Sequence, residues 1–352
     1  MKLIQTVDAE GAVLCHDITQ IIKGVTKDAV FRKGHIVTKE DIPVLLSVGK
    51  DQLYVWEKKE GILHENEAAE ILCRLCLNEN MERSEVKEGK IELLATCDGL
   101  LKVNAAGIKA VNGFGQMMIA SRHGNFPVKK GDKLAGTRII PLVIEEEKMR
   151  AASRACLSAT EGRPVFRLLP FKHKKVGIVT TGNEVYYGRI KDTFTPVIEE
   201  KIGAFDTQIV GHETWNDDDR QVTAAVMRMI EAGADIVCCT GGMSVDPDDK
   251  TPLAIKNTGA EIVSYGAPVL PGAMFLLAYY EVKEGPCPRT VTIMGLPGCV
   301  MYAKRTIFDL VLPRVMADDR VTGEELASLG EGGLCLNCPV CSFPNCGFGK
   351  GW

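Results

Sequence analysis

The first sixty residues alternate short apolar runs with turn residues, which predicts a small β-rich unit. The runs are Val13-Leu14, Ile18, Ile21-Ile22 and Val30-Phe31. A helix should begin near Thr38, where acidic residues and a proline follow in the first turn, and should end at Gly49. The apolar residues it should bury are Ile42, Leu45, Leu46 and Val48. Tyr54-Val55-Trp56 then returns as a strand, so residues 1–62 are expected to form one small domain.

Residues 63–165 are expected to form a second domain of helices and strands that ends in a linker. From Glu65 to Asn80 apolar residues recur at helical spacing. Cys73 and Cys76 fall on this pattern, so the pair is interpreted as helix packing and not as a metal site. Strand-like runs follow at Ile91–Ala95, Leu100–Val103, Met117–Ala120 and Arg138–Ile144. A helix is predicted from Glu145 to about Ala159, before the turn Gly162-Arg163-Pro164.

From Lys175 onward the pattern changes to strand, turn and helix, repeated. The predicted strands are Val176–Thr180, Thr207–Val210 and Asp235–Cys239, and the predicted helices lie near Thr195–Ala204 and from Asp217–Asp219 to Gly233. Continuous apolar strands of this kind are buried on both faces of a sheet. The fold class is therefore predicted to be α/β with a mainly parallel sheet over residues 174–316, preceded by the smaller β-rich domains.

Three loops follow apolar strands and should meet at one edge of this sheet, where α/β domains bind ligands. They are Thr180-Thr181-Gly182-Asn183-Glu184, the run from Thr240 to Pro252, and Gly295-Leu296-Pro297-Gly298. In the second loop Gly241 and Gly242 let backbone amides approach a ligand closely. Thr251-Pro252 can start a helix whose N-terminus favours an anion.

The acidic residues of the second loop leave two interpretations open. Asp246, Asp248 and Asp249 would repel a phosphate unless a divalent cation mediated the contact. Because Mg²⁺ takes one or two carboxylates together with phosphate oxygens, a Mg²⁺–phosphate ligand resolves the conflict. The alternative is a turn rich in glycine, proline and solvated aspartate with no ligand.

Composition narrows the classes of function. The 352 residues exceed what one hydrophobic core serves and predict two or three domains. With 42 Lys and Arg against 46 Asp and Glu, the formal net charge is −4, so no basic excess favours a nucleic-acid partner. The most apolar stretch, Ala267 to Tyr280, is broken by prolines and is shorter than a membrane span of about 20 residues. Asp8 and Glu10 interrupt any apolar signal segment, so the expected location is the cytoplasm.

Residues 317–352 are expected to form a tail rich in cysteine. It contains four of the thirteen cysteines, namely Cys335, Cys338, Cys341 and Cys346, with the spacing C-x2-C-x2-C-x4-C. In a reducing compartment such a group more often binds metal than forms disulfides. Zinc held by four thiolates, an iron–sulfur cluster and a tail without metal all remain open. Phe343, Phe348 and Trp352 would be unfavourable to expose, which favours folding around a metal or docking on a partner.

The second loop, taken as a whole, resembles the molybdopterin-binding domain shared by the MogA and MoeA proteins of molybdenum-cofactor synthesis. Thr240-Gly241-Gly242, followed by Asp249, Thr251 and Pro252, is similar to the TGG…D-x-T-P element of the MogA branch. The segments that resemble motifs of the MoeA branch are Gly241-Gly242-Met243-Ser244-Val245, Thr181-Gly182-Asn183-Glu184 and Gly295-Leu296-Pro297-Gly298. The resemblance covers about residues 174–316 and implies a three-layer α/β/α domain. Residues 13–56 resemble the smaller domains of MoeA more faintly.

The resemblance implies a pocket for molybdopterin, a pterin dithiolene phosphate, or for its adenylylated form. Asp249 would assist Mg²⁺ or adenylate chemistry and Glu184 would be a second carboxylate, so these are the candidate catalytic residues and Asp249 is also a candidate Mg²⁺ ligand. Asp217 or Asp218 matches an acidic position of the family, although an Asp at a helix N-terminus is also what capping favours. The candidate cofactor-binding residues are Thr181, Gly182, Thr240, Gly241, Gly242, Ser244, Asp218, Lys250, Thr251, Gly295, Pro297 and Gly298.

The chain departs from the MoeA pattern in two segments. MoeA proteins usually carry Lys-Pro-Gly-Lys-Pro, whereas this chain has Pro268-Val269-Leu270-Pro271-Gly272-Ala273. Two cations expected to hold molybdate or nucleotide phosphate are therefore missing. The family's G-L-P-G-N-P has lost its Asn-Pro to Cys299-Val300, where the Cys299 thiolate would be favoured at a helix N-terminus but packing is the expected role. The sequence thus supports binding of the cofactor more strongly than a catalysed reaction.

Two functions follow from these features. One is a Mg²⁺-dependent step, similar to a molybdotransferase reaction, in maturation or insertion of the cofactor. The other is a non-catalytic carrier that holds the cofactor and docks on a molybdoenzyme through the cysteine tail. A related module that serves nucleotide hydrolysis is a third, weaker hypothesis. The expected partners are molybdopterin or its adenylylated form and a molybdoenzyme, with self-association left open.

Overall fold

The computed structural model of the chain describes residues 2–22, 26–55, 60–244, 246–247, 249–283 and 288–351, without the side chains of residues 21, 22, 26 and 27. Of the positions singled out above, Trp56, Val245, Asp248 and Trp352 lie outside this description. The chain forms two compact units. The first comprises Met1–Thr96, Asn104–Arg122 and Gly131–Arg167, and the second comprises Cys97–Val103, His123–Lys130 and Leu168–Trp352.

The first unit opens with short strands and one helix, in the way the early pattern predicts. The elements are β1 (Lys2–Gln5), β2 (Ile18–Ile22), β3 (Thr26–Phe31), α1 (Asp41–Ser47), β4 (Gln52–Val55) and β5 (Ile62–His64). Strands β1 and β4 pair antiparallel, and so do β2 and β3. Leu45 of α1 is fully buried, but Leu46, predicted to be buried, is 38% exposed. Successive helix residues point in directions about 100° apart, and this short helix packs only its Leu45 side.

Between residues 65 and 170 the chain adds three helices and eight strands. They are α2 (Glu65–Cys76), β6 (Met81–Arg83), β7 (Lys90–Ala95), β8 (Gly99–Val103), α3 (Ala105–Asn112), β9 (Met117–Ser121), β10 (Phe126–Val128), β11 (Lys133–Ile139), β12 (Val143–Glu145), α4 (Glu146–Ala159) and β13 (Phe166–Pro170). Strands β6, β7, β11 and β9 form one antiparallel sheet in that order. Strands β8 and β10 pair antiparallel and belong to the second unit.

Two expectations for this region need correction, and one is confirmed. The predicted strand Arg138–Ile144 is divided between β11 and β12 at Pro141, which has no N–H to donate to a sheet. Helix α3 was missed, although Asn104 caps it by accepting from Gly107 N at 3.3 Å. Cys73 and Cys76 are buried on α2, and burial raises the pKa of both thiols, so they pack as predicted.

The second unit alternates strands and helices as predicted. Its elements are β14 (Lys174–Thr181), α5 (Asn183–Tyr186), α6 (Thr195–Ile202), β15 (Thr207–Trp215), α7 (Asp219–Glu231), β16 (Ile236–Thr240), α8 (Thr251–Asn257), β17 (Glu261–Tyr265), β18 (Leu276–Val282), β19 (Arg289–Leu296), α9 (Ile307–Met316) and α10 (Gly323–Ser328). The sheet order is β15-β14-β16-β19-β18-β17. The first four strands are parallel, and β18 and β17 are antiparallel to their neighbours. The prediction of an α/β domain with a mainly parallel sheet is confirmed.

Helices cover both faces of this sheet, because successive strand residues point to opposite sides. Ile178 of β14 packs in a cluster with residues of α6, α9 and α10, including Ile198 and Phe308. Val179, the next residue, packs in a second cluster with α7 and α8, including Val226. The three-layer arrangement is thereby confirmed. No helix in the described ranges combines the length and apolar character needed to cross a bilayer.

Gly177 sets the distance between β14 and α7. A Cβ atom built at this position would lie 2.6 Å from Cβ and 2.7 Å from Cγ of Met229. Both atoms are held by the helix, so a larger residue would push α7 away from the sheet.

We expect Gly177→Ala to lower the free energy of unfolding of the second unit by about 1–3 kcal/mol, because the added methyl group overpacks this contact. Urea denaturation followed by far-UV circular dichroism would measure the loss. Gly136→Ala is the matched control, since a Cβ at Gly136 of β11 meets no atom within 4 Å. Equal stability of the two variants would contradict this account of the packing.

Candidate functional site

The three loops predicted to converge do leave the sheet at one edge. Thr180 of β14 lies opposite Thr240 of β16, and Thr240 lies opposite Leu296 of β19. The three parallel strands are neighbours and end at the same level. The loops that follow them therefore emerge side by side, as the sequence predicts.

Two buried threonines tie the first loop to the second. The hydroxyl oxygens of Thr181 and Thr251 lie 3.0 Å apart. Thr251 Oγ1 also lies 2.9 Å from the carbonyl oxygen of Gly241, and Thr181 Oγ1 lies 3.2 Å from that of Thr240. Both threonines are almost fully buried, so these polar groups satisfy one another away from water. The start of α8 is thus fixed against the ends of β14 and β16.

Gly241 and Gly242 are required by this close contact between loops. Gly241 has φ of 83°, and a Cβ there would lie 2.0 Å from the carbonyl oxygen of Thr181. Gly242 has φ of 55°, and a Cβ there would lie 2.7 Å from Thr251 Oγ1. Both positions combine a left-handed backbone with no space for a side chain. Their first role is to let the second loop fold onto the end of β14.

Asp249 closes the second loop on itself. Its Oδ2 accepts a hydrogen bond from Ser244 N at 2.9 Å, and its own N–H donates to the carbonyl oxygen of Asp246 at 2.9 Å. Asp249 and Lys250 are half-buried, and Ser244 is exposed. Burial and the nearby Asp249 charge together raise the pKa of Tyr265. A carboxylate, an ammonium group and a hydroxyl are therefore collected beside the glycine pair.

The first loop turns back on itself at Gly182, which has φ of 138°. A Cβ on Gly182 would lie 2.9 Å from Oε1 of Glu184, so this exposed carboxylate folds over the glycine. Asn183 N donates to Oδ2 of Asp217 at 3.0 Å, which joins the first loop to the turn before α7. Asp218 accepts from Arg220 N at 2.9 Å and from Gln221 N at 3.3 Å. It caps α7, and its assignment to the cofactor stays a prediction.

The third loop divides into a packed part and an open part. A Cβ on Gly295 would lie 2.7 Å from Cε of Met243, so this glycine makes room for a side chain of the second loop. Pro297 is buried, whereas Gly298 is exposed and a Cβ there would meet nothing within 4 Å. Burial raises the pKa of Cys299, so this side chain packs as a neutral thiol. The thiolate considered from the sequence is not favoured here.

A polar cluster beside the first loop was missed by the sequence analysis. Thr180 Oγ1 lies 3.1 Å from Thr195 Oγ1 and 3.0 Å from Nε2 of His212. Asp192 accepts from Thr195 Oγ1 at 2.6 Å and from the backbone N–H groups of Phe194 at 2.8 Å and Thr195 at 3.1 Å. An Asp three residues before Thr195-Pro196 is a start signal for α6 and could have indicated Asp192. His212 lies in the part of β15 that extends beyond the predicted strand.

Burial alone would raise the pKa of Asp192, but the hydrogen bonds from Thr195 and Phe194, together with His212, hold it below its ordinary value. A charged Asp192 is therefore favoured beside Thr180 and His212.

The described residues contain no group of three or more His, Cys, Asp or Glu side chains placed to share a metal ion. Cys335, Cys338, Cys341 and Cys346 lie together in the tail, and their metal ligation stays a prediction.

We expect Thr251→Val to cost about 1–3 kcal/mol and to release the second loop, because it removes the buried hydroxyl that bonds to both Thr181 Oγ1 and the Gly241 carbonyl oxygen. Hydrogen exchange of residues 240–252 should become faster. Thr223→Val is the control, since this hydroxyl bonds to backbone oxygens of Asp219 and Ala254 between α7 and α8. Unchanged exchange in the loop would show that the threonine contact does not hold it.

We expect Asp192→Asn to make the free energy of unfolding depend less on pH in the acidic range. The folded pKa of Asp192 is lowered, so its charge contributes stability above about pH 4, and this contribution is lost as pH falls through the lowered value. Asparagine keeps an acceptor for Thr195 but has no charge. Urea denaturation at a series of acidic pH values would show the difference, with Glu231→Gln, an exposed residue at the end of α7, as control. A profile identical to that of the unsubstituted chain would exclude this role.

The three loops lie in a part of the chain that matches a known protein family. The family described as "Probable molybdopterin binding domain" matches residues 177–317, and "Domain of unknown function (DUF8806)" matches residues 3–57. A molybdopterin molybdenumtransferase of Synechococcus elongatus is 24% identical over 162 residues, which is 44% of this chain and 38% of that protein. A CinA-like protein of Mycobacterium tuberculosis is 29% identical over 90 residues, 25% of this chain and 21% of that protein. The chain thus spans less than two fifths of the length of each of these relatives.

Solved structures of similar proteins match less than half of the chain. The tungsten cofactor synthesizing protein MoaB from Pyrococcus furiosus is 21% identical, with a TM-score of 0.35, and covers 43% of this chain and 99% of its own. A MogA structure is 16% identical, with a TM-score of 0.30, and covers 42% of this chain and 100% of its own. The α/β domain that carries the three loops, at residues 177–317, therefore matches the family described as a probable molybdopterin binding domain.

Proposed function

We propose that this domain binds the phosphate-bearing pterin of molybdopterin, or its adenylylated form, where β14, β16 and β19 end. The observation that carries the proposal is the convergence of three glycine-containing loops at this edge, with open space in front of Gly298. Ser244 and Lys250 lie in the second loop, where a hydroxyl and an ammonium group suit phosphate oxygens. Asp249 and Glu184 bring two carboxylates to the same edge.

The residues of the second loop fit a Mg²⁺ ion shared with a phosphate. Asp249 and the exposed Asp246 are oxygen donors in one loop, and Mg²⁺ needs only one or two carboxylates when phosphate and water complete its coordination. That the described residues contain no group of three ligating side chains is therefore compatible with this ion. When bound, Mg²⁺ would neutralise charge on the phosphate. Asp249 would hold the ion, while its bond to Ser244 N keeps the loop in position.

The reaction we propose first is a Mg²⁺-dependent, molybdotransferase-like step that uses Asp249 and Glu184. The similarity to a molybdopterin molybdenumtransferase supports it, although the match covers 38% of that protein.

We propose that the protein works in the cytoplasm. The described cysteines are free thiols, and free thiols are expected in a reducing compartment.

A non-catalytic carrier is the second candidate, and one observation favours it. Leu270 and Ala273 flank Pro271-Gly272 where MoeA proteins have lysines, and both are exposed without any charge. A site that lacks these cations retains loops for the pterin but loses the groups expected to hold molybdate. A carrier would pass its cofactor to a molybdoenzyme, with or without self-association.

Gly298→Leu tests the binding site without disturbing the fold, because the added side chain enters open space. We expect the affinity for molybdopterin, measured by its fluorescence under anaerobic conditions, to fall by at least about tenfold, while stability changes by less than about 1 kcal/mol. Glu231→Gln, exposed at the far end of α7, is the control and should bind normally. Full affinity in Gly298→Leu would place the ligand elsewhere, and no binding by the unsubstituted chain would favour a related module with another ligand.

An assay of turnover distinguishes the proposed enzyme from the proposed carrier. With Mg²⁺, molybdate and adenylylated molybdopterin, the enzyme should release the nucleotide, and Asp249→Asn should reduce this rate by about 10²-fold or more. A chain that binds molybdopterin tightly yet consumes neither adenylylated pterin nor molybdate is the carrier.

A further inference from the structure

The four cysteines of the tail surround one small cavity. Cys335, Cys338, Cys341 and Cys346 all line a space of about 210 Å³, together with Phe343, Phe348, Lys304 and Arg305. Cys335 and Cys346 are half-buried against the hydrophobic core of the domain, whereas Cys338 and Cys341 are exposed. Four cysteines from a stretch of twelve residues thus line one cavity.

The tail is anchored to the domain on both sides of these cysteines. Before them, Leu270 N donates to the carbonyl oxygen of Gly333, and Cys335 N donates to that of Leu270, each at 2.8 Å. After them, Phe348 is buried with only 4% of its surface exposed. The Phe343 ring lies 5.6 Å from that of Phe126, centroid to centroid. Phe343 and Phe348 therefore dock on the domain itself, which restrains the segment that carries the cysteines and lowers the entropic cost of gathering the thiols.

Two cations lie at the same cavity. Lys304 Nζ donates to the carbonyl oxygen of Pro339 at 3.0 Å, in the middle of the cysteine segment. The guanidinium of Arg305 lies 4.9 Å from the centre of the Phe343 ring and donates to Asp309 at 2.9 Å. A Zn²⁺ ion with four thiolates carries two negative charges, so a cationic wall suits this complex.

We propose that Cys335, Cys338, Cys341 and Cys346 bind one Zn²⁺ ion as a tetrahedral tetrathiolate. The described residues show no three such side chains already placed around an ion, so the exposed pair must close on the half-buried pair. Residues 335–346 contain neither helix nor strand, and this closure breaks no regular hydrogen-bonded structure. The segment is held at its ends, and the ion fixes its centre.

The proposed zinc site is attached to the edge of the sheet that carries the candidate pterin site. Leu276 of β18 pairs with Gly295 of β19, so the segment that leads into β18 lies at this edge, and its Leu270 contacts the tail. Lys304 and Arg305 follow the third loop by a few residues. Zinc should therefore rigidify residues 299–305 as well as the tail. This inference does not depend on the proposed pterin reaction.

Metal analysis and titration of the full chain test the proposal. Protein purified anaerobically should contain one zinc per chain, and the stripped protein should take up one Co²⁺ with the absorption bands of a tetrahedral tetrathiolate. Zinc should slow hydrogen exchange in residues 299–305 and 334–348. Iron with acid-labile sulfide, a Cys–Cys disulfide in place of metal, or no metal uptake would each overturn the zinc assignment.

Single substitutions assign the ligands. Cys338→Ser and Cys341→Ser change exposed residues, so folding should be unaffected, and each should weaken zinc affinity by at least about tenfold in competition with a chromophoric chelator. Cys97→Ser, half-buried outside the tail, and Ser342→Ala, exposed within it, should bind zinc normally. Normal affinity in both cysteine variants would refute the tetrathiolate. These titrations contain no pterin, so failure of the proposed function leaves their result unchanged.

Discussion

The close approach of the Gly241-Gly242 backbone to the end of β14 is the constraint on which the candidate site depends. The carbonyl oxygen of Thr181 occupies the place where a Cβ of Gly241 would lie, and Thr251 fills the corresponding place beside Gly242. This contact fixes where α8 begins and where Asp249 closes the loop. The carboxylate and the neighbouring polar groups thus depend on a steric fit between backbone segments, reinforced by two buried hydroxyls.

The sequence predicted the fold of the second unit well, because buried parallel strands and capped helices leave strong local patterns. The order of strands and helices from β14 to β16 follows directly from apolar runs and turn residues. Convergence of the three loops could also be predicted, since parallel neighbours end at the same edge. Local patterns failed where tertiary contacts decide. The exposure of Leu46 and the length of β15 depend on what packs against each element, whereas the division at Pro141 follows from a local signal that the prediction overlooked.

Local sequence patterns were also insufficient for the candidate site. Motif comparison found the loops, but the roles of individual residues needed the fold. Asp218 caps α7, and Gly295 makes room for Met243. The cluster of Thr180, Asp192 and His212 joins three segments that are distant in sequence, so no local pattern brings them together. His212 in particular carries no motif, and only the pairing of β15 with β14 places it beside Thr180.

The contact between Gly295 and Met243 gives a motif residue a role in packing. A methionine side chain from one loop fills the space above a glycine of another, so mutual fit restrains these motif residues. Leu270 and Ala273 on the neighbouring segment are exposed and are under no such restraint. Substitution at such positions can change the chemistry of the site while leaving intact the glycines by which the domain is recognised. Motif glycines in this fold therefore report on packing, whereas the charged groups around them determine the chemistry.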